Sequence, residues 1–283
     1  MKTLIKKIFK DSWFFVWNNP LLWIFGIFAG FFINSEFNLL FSSFQSKELY
    51  FLTYIRNFNF SFWPILNTLI VIILILIIIY LAIISEISII YSFRLDKKIG
   101  FKALFKKSHQ YLWQTLLVNS IFFSVLYLPA LGIYSLIHFH WYISNIFLKF
   151  LFFLFLLILI ICVLILNRYT LIHIILRKEG ILSAFYKGYS FCKKNGLMLI
   201  NILFWLFILS IIISVFLALS LITTSLPFFF LLFLSYQLNL IIVWWLIFII
   251  WLISLFIITI FTSSLFSCFQ ISTWIIYFLK YTK

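Results

Sequence analysis

Residues 167–201, NRYTLIHIILRKEGILSAFYKGYSFCKKNGLMLIN, place a short basic amphipathic segment between two long apolar runs. At about 100° per residue on a helix, Ile181, Leu182, Ala184, Phe185, Tyr189, Phe191 and Cys192 share one broad face, while Ser183, Lys187, Ser190 and Lys194 collect opposite. That is the pattern of a helix lying in a membrane interface, its apolar face among acyl chains and its lysines near anionic headgroups.

Outward from this stretch the chain is apolar almost throughout. Of 283 residues, 66% are hydrophobic and 10% charged, against roughly 45–50% and about 25% in soluble domains. Several uninterrupted apolar runs reach the ~20 residues needed to cross a hydrocarbon core about 30 Å thick. The sequence therefore predicts an all-α, polytopic helical membrane protein, a single integral membrane domain over residues 1–283. A membrane β-barrel fits less well, because the runs are continuous and do not alternate. The net charge of +15 does not argue for a nucleic-acid partner, since the basic residues sit in short segments beside the apolar runs, where orientation and anionic lipid account for them. The 40 phenylalanines need no aromatic binding site, because lipid-facing positions accept any apolar side chain.

Six spans are expected, at about 20–33, 64–93, 111–137, 146–176, 196–222 and 240–266. Asn18-Asn19-Pro20 breaks a basic amphipathic opening, because proline suits a first helical turn and disfavours helix just before it. Residues 34–62 and 138–145 are read as outer segments, residues 223–227 as an outer turn, and 228–234 as a short apolar piece at the outer interface. Pro129 and Gly132 offer a kink in the third span. The second and fourth helices are too long for the hydrocarbon. Residues 87–93 and 169–176 stay apolar where they should leave it, and the amphipathic segments that follow are expected to cover them. The basic N-terminus lacks a small-residue cleavage site and should be retained as an anchor.

Lysine and arginine placement sets the orientation. Four lie in the N-terminal segment, six in residues 94–110, six in 168–196 and two at the C-terminus, leaving only Lys47, Arg56 and Lys149 on the other side. The positive-inside rule puts both termini in the cytoplasm of a bacterial inner membrane. A three-fold internal repeat is also suggested, each unit an interfacial amphipathic helix, a span out and a span back. Phe9, Lys10, Ser12 and Trp17 match Phe105, Lys106, Ser108 and Trp113 at a shift of 96, and Ala103 and Lys106 match Ala184 and Lys187 at a shift of 81.

Ionisable groups at membrane depth are functional candidates. Glu86 and Arg168 fall at similar heights on the second and fourth helices and form a candidate interhelical ion pair, against the alternative that each snorkels into the inner headgroups. Lys102, Lys106, Lys107, Lys187, Lys193 and Lys194 are candidate contacts for anionic inner-leaflet lipid. His138 and His140 beside Trp141 lack further ligands for a metal. His109 and His173 have no visible acid–base partner. Cys162, Cys192 and Cys268 form no CxxC pair and read as free thiols. Six scattered acidic residues do not assemble the carboxylate clusters that metal-dependent phosphoryl chemistry uses, and there is no GxSxG, P-loop or HExxH. No catalytic residue, cofactor or metal is expected.

The opening NNPLLWIFGIF, with Asn19, Pro20, Leu22, Trp23, Phe25 and Gly26, and the later RKEGILSAFYKGYSFCKKN, with Glu179, Gly180, Ala184 and Gly188, resemble a broad set of bacterial multi-span proteins. They are similar to the membrane domain associated with glycerophosphodiester phosphodiesterases and to related integral membrane families. The resemblance implies a six-span helical membrane domain of unestablished activity. The soluble phosphodiesterase domain of some members has no counterpart in this sequence, so no catalytic residue carries over. The expectation is a non-enzymatic protein that organises the membrane or engages lipid, a membrane-protein partner or a second copy of itself. The alternative is a small-molecule or lipid transporter.

Overall fold

The computed structural model describes residues 2–30, 62–94, 100–138, 146–238 and 240–282. Of the expected outer segments 34–62 and 138–145, all but Phe62 and His138 lie outside these residues. Everything regular within them is helix: α1 (Lys2–Trp17), α2 (Leu21–Gly30), α3 (Phe62–Ser92), α4 (Phe101–His109), α5 (Leu112–His138), α6 (Ile146–Arg177), α7 (Ile181–Gln237) and α8 (Ile241–Tyr281). Four of them, α3, α6, α7 and α8, are long and apolar enough to cross a membrane, and the bent pair α1 and α2 makes a fifth if counted as one span. A polytopic helical membrane protein is thus what the chain forms, with four or five such elements among the described residues where six were expected. The third expected span coincides with α5, which stays helical through Pro129 and Gly132.

The helix boundaries follow local chemistry. Asn19 donates its side-chain amide to the Phe15 carbonyl at 2.8 Å and Trp23 donates its indole N–H to the Val16 carbonyl at 3.0 Å, pinning the Asn-Asn-Pro break. Across that break α1 and α2 are bent by 112°. At the end of α6, Lys178 takes the left-handed backbone conformation (φ 57°) that stops a helix. Gly180 then caps α7 in an extended conformation, as Gly100 caps α4. Asn195 is the one non-helical residue inside α7 (φ −117°, ψ 16°). It separates the basic portion 181–194 from the long apolar portion 196–237, close to where the fifth span was expected to begin.

Two expectations are overturned. Residues 223–227 are not an outer turn, and 228–234 are not a separate interfacial piece: α7 runs through Pro227 to Gln237. The Thr-Thr-Ser cluster looked like a loop because its hydroxyls want partners, but in a helix they find them on preceding carbonyls. Thr223 donates to Leu219 at 3.0 Å, Thr224 to Ser220 at 2.8 Å and Ser225 to Leu221 at 2.6 Å. Ser225 also accepts the indole N–H of Trp251 on α8 at 3.0 Å. The last helix also runs past the span expected at 240–266. Helix α8 continues to Tyr281, and Cys268, Ser272, Thr273, Ile275 and Tyr277 in its last turns are fully buried.

Burial divides each long helix into two parts. Leu69–Ile79 of α3 is exposed at every position, whereas residues 82–91 are almost wholly buried. Helix α6 changes in the same way near Ile165, and α8 near Ser264. The exposed parts present a continuous apolar surface suited to acyl chains. The buried ends, or stalks, pack against one another and are covered by the short helices: α4 lies on the α3 stalk, residues 181–194 lie on the α6 stalk and α1 lies on the α8 stalk. This is the covering expected from the over-long helices, extended to a third stalk beyond the last expected span.

The polar core at the basic end

Each stalk carries a polar-x-hydroxyl triplet inside an apolar run: Glu86-Ile87-Ser88, Arg168-Tyr169-Thr170 and Gln270-Ile271-Ser272. In the packed bundle these residues are buried, where an unpaired polar group is costly. Glu86 accepts a hydrogen bond from the Arg168 guanidinium, forming an ion pair between α3 and α6. The candidate pair of the sequence reading is therefore formed, and inside protein: the Glu86 side chain is only 3% exposed and that of Arg168 11%. The residue before Arg168, Asn167, donates to Asn119 of α5 at 2.9 Å. Ser88 and Ser108 share a hydrogen bond at 2.8 Å and join the α3 stalk to α4.

The covering helices approach closely where they present small residues. A Cβ added to Gly188 would sit 3.2 Å from the Thr170 hydroxyl. Ala184 and Gly188 are the buried residues of 181–194, as Leu104 and Ser108 are of α4. At the other edge, α2 lies so close to α8 that a Cβ on Gly26 would collide with the Ser264 carbonyl oxygen. The Ser264 hydroxyl donates to the Trp23 carbonyl, and the Cys268 thiol donates to the Leu22 carbonyl at 3.0 Å. The Leu-Trp-x-Phe-Gly motif of the opening thus has a packing role: it seats α2 on the last helix.

The connector between α6 and α7 is tied by charge. Glu179 accepts the Lys187 ammonium at 2.8 Å and its second oxygen lies 3.6 Å from Nδ1 of the buried His173. Burial would raise the Glu179 carboxyl, but the Lys187 hydrogen bond and the charges of His173, Lys187 and Arg177 outweigh it and hold the carboxyl below the usual glutamate range. Arg177 sits over the Phe278 ring at 5.5 Å. Lys280 at the end of α8 pairs with Asp11 of α1 at 2.6 Å.

Of the candidate lipid contacts, Lys102, Lys106 and Lys107 are exposed on α4, and Lys187, Lys193 and Lys194 are exposed on α7. Lys187 is committed to Glu179, and Lys107 lies 6.0 Å from the centre of the Tyr91 ring. The broad apolar face drawn for residues 181–192 is split. Ala184, Phe191 and Cys192 turn toward protein, Phe185 is partly exposed but stacks on Phe122, and Leu182 (87% exposed) and Tyr189 turn away. The three cysteines are free thiols. Among the described residues, no three histidine, cysteine or acidic side chains group as metal ligands. A niche of about 10 Å³ between α5 and α6, lined by Phe122, Phe123, Leu126, Val163, Leu164 and Asn167, has room for at most one water.

The sequence reading missed the Asn119–Asn167 bond, the Ser88–Ser108 bond and the whole α8 stalk. The three polar-x-hydroxyl triplets were the available signal. No protein-family model, curated protein or solved structure matches the chain.

Proposed function

We propose that this is an integral protein of a bacterial cytoplasmic membrane, with both termini in the cytoplasm, whose role is to engage anionic inner-leaflet lipid and through it to organise the bilayer or a membrane partner. The observation that carries the reading is the construction of the basic end. Three short helices are each fixed to a stalk by one face and leave lysines and large aromatic residues exposed on the others, among them Trp13, Trp17, Phe101, Tyr186 and Tyr189. Aromatic and basic side chains side by side, next to a belt of exposed aliphatic helix, suit the boundary between headgroups and acyl chains. Placing that end in the cytoplasm follows from the distribution of positive charge.

The three-unit reading is part of the proposal in a modified form. Each unit is a stalk, a short basic helix and an outgoing helix, and the last helix of the chain supplies the stalk on which the first short helix sits. The corresponding buried pairs Ile8 and Ser12, Leu104 and Ser108, and Ala184 and Gly188 support it. Native mass spectrometry of the protein ejected from its own membrane is the test. Retained anionic phospholipid, alone or with a partner, is expected. Ejection of the bare chain, or of the chain with zwitterionic lipid only, would count against the proposal.

A further inference from the structure

The short helices sort their lysines by direction. On α4 the row Leu104 and Ser108 faces the stalk. At about 100° per residue, Phe101 and Phe105 lie on one flank of that row, Lys107 on the other flank, and Lys102 and Lys106 on the side away from the protein. Residues 181–194 repeat the layout. Ala184 and Gly188 face the stalk, Phe185 and Tyr189 form one flank, Lys187 lies on the other, and Leu182, Tyr186 and Lys193 point away. On α1, Ile8 and Ser12 face inward, Phe9 and Trp13 form the aromatic flank, Asp11 lies opposite, and Lys6 and Lys10 point away.

Contacts show what each flank meets. The aromatic flanks turn toward neighbouring helices: Phe101 stacks on Phe25 of α2 at 4.9 Å and Phe185 on Phe122 of α5 at 6.0 Å, while Phe9 meets Phe269 of α8 edge-on at 5.5 Å. The opposite flanks are held to the stalks or their connector, Asp11 by Lys280, Lys107 by Tyr91 and Lys187 by Glu179. The outward rows have no such tie. Lys6, Lys10, Lys102, Lys106 and Lys193 are exposed and make no ion pair among the described residues.

We infer that anionic phospholipid headgroups are held by the outward lysines Lys6, Lys10, Lys102, Lys106 and Lys193, and that Lys107 and Lys187 serve the protein's own packing. This rests on the lipid reading above and narrows it. Three of the six lysines first singled out are left out of the lipid site, Lys107 and Lys187 by their contacts and Lys194 because it lies on the Lys187 flank, and a third short helix, α1, is brought in. The occupant follows from charge complementarity beside exposed Trp17 and Tyr186, which sit well at headgroup level.

The test uses the full chain reconstituted in phosphatidylcholine vesicles, with spin-labelled phosphatidylglycerol or spin-labelled phosphatidylcholine as probe. Wild-type protein is expected to immobilise the anionic probe in preference. Replacing all five outward lysines by glutamine should lower that preference several-fold, toward equality of the two probes, while the melting temperature stays near wild type. The pair K107Q and K187Q should keep the lipid preference and lower the melting temperature. The assignment is overturned if the five-fold variant keeps the wild-type preference, or if the pair loses as much of it. A wild-type protein with no preference would instead overturn the lipid reading itself.

Discussion

The Arg168 guanidinium of α6 donates to the Glu86 carboxylate of α3 across 82 residues of sequence, inside a core formed by three stalks. A buried ion pair of this kind is not a large net source of stability, because desolvation offsets the attraction; removing one partner, however, strands a charge. Glu86→Gln and Arg168→Gln should each destabilise the detergent-solubilised protein, by about 3 kcal/mol. The double change to methionine should be milder than either single change. Thermal melts followed by circular dichroism would show this, and single variants that melt like wild type would mean that the pair does not hold the stalks together.

The contact between α2 and α8 is equally specific. A methyl group at Gly26 has no room against the Ser264 carbonyl, whereas one at Gly196 meets nothing within 4 Å. Gly26→Ala should cost about 1–3 kcal/mol, as overpacking does, and Gly196→Ala should be neutral or slightly stabilising. The same melting assay compares them. Equal melting temperatures for the two variants would place α2 away from α8.

Glu179 supplies a pH dependence whose sign is defined. Its carboxyl is held below the usual range in the folded protein, so the folded state favours the ionised form. The resulting stabilisation is present above the ordinary glutamate pKa and is lost as the pH falls through the lowered native value. Melting temperature measured down an acid series should therefore decline in wild type below the usual glutamate range. Glu179→Gln should flatten that part of the decline and lower the plateau at neutral pH. An unchanged acid limb in the variant would assign the loss to other groups.

Much of this fold is legible in the sequence, because a hydrocarbon solvent leaves few options. Long apolar runs must be helices, and their limits at Asn18-Asn19-Pro20 and at Lys178-Glu179-Gly180 are written in backbone chemistry. Glu86 and Arg168 could be paired from their heights alone. The rest depended on packing. The Thr-Thr-Ser-Leu-Pro stretch at 223–227 carries every turn signal, but without competing water its hydroxyls bond the helix behind them. Residues 267–281 give no sign of being core while α1 is read as lying on lipid; once α1 sits on them, their hydroxyls and Gln270 belong in a core. The direction in which each lysine points was hidden for the same reason, since a helical wheel shows which residues share a face but not which face meets protein.

The central claim, that the basic end with its three short helices lies in the cytoplasm, is tested most directly at Ser190, exposed on the polar side of residues 181–194. In a chain whose native cysteines are replaced by serine, Ser190→Cys should resist a membrane-impermeant thiol reagent applied to sealed cells and react once the membrane is opened. Full labelling of Ser190→Cys in sealed cells would reverse the orientation and contradict the account.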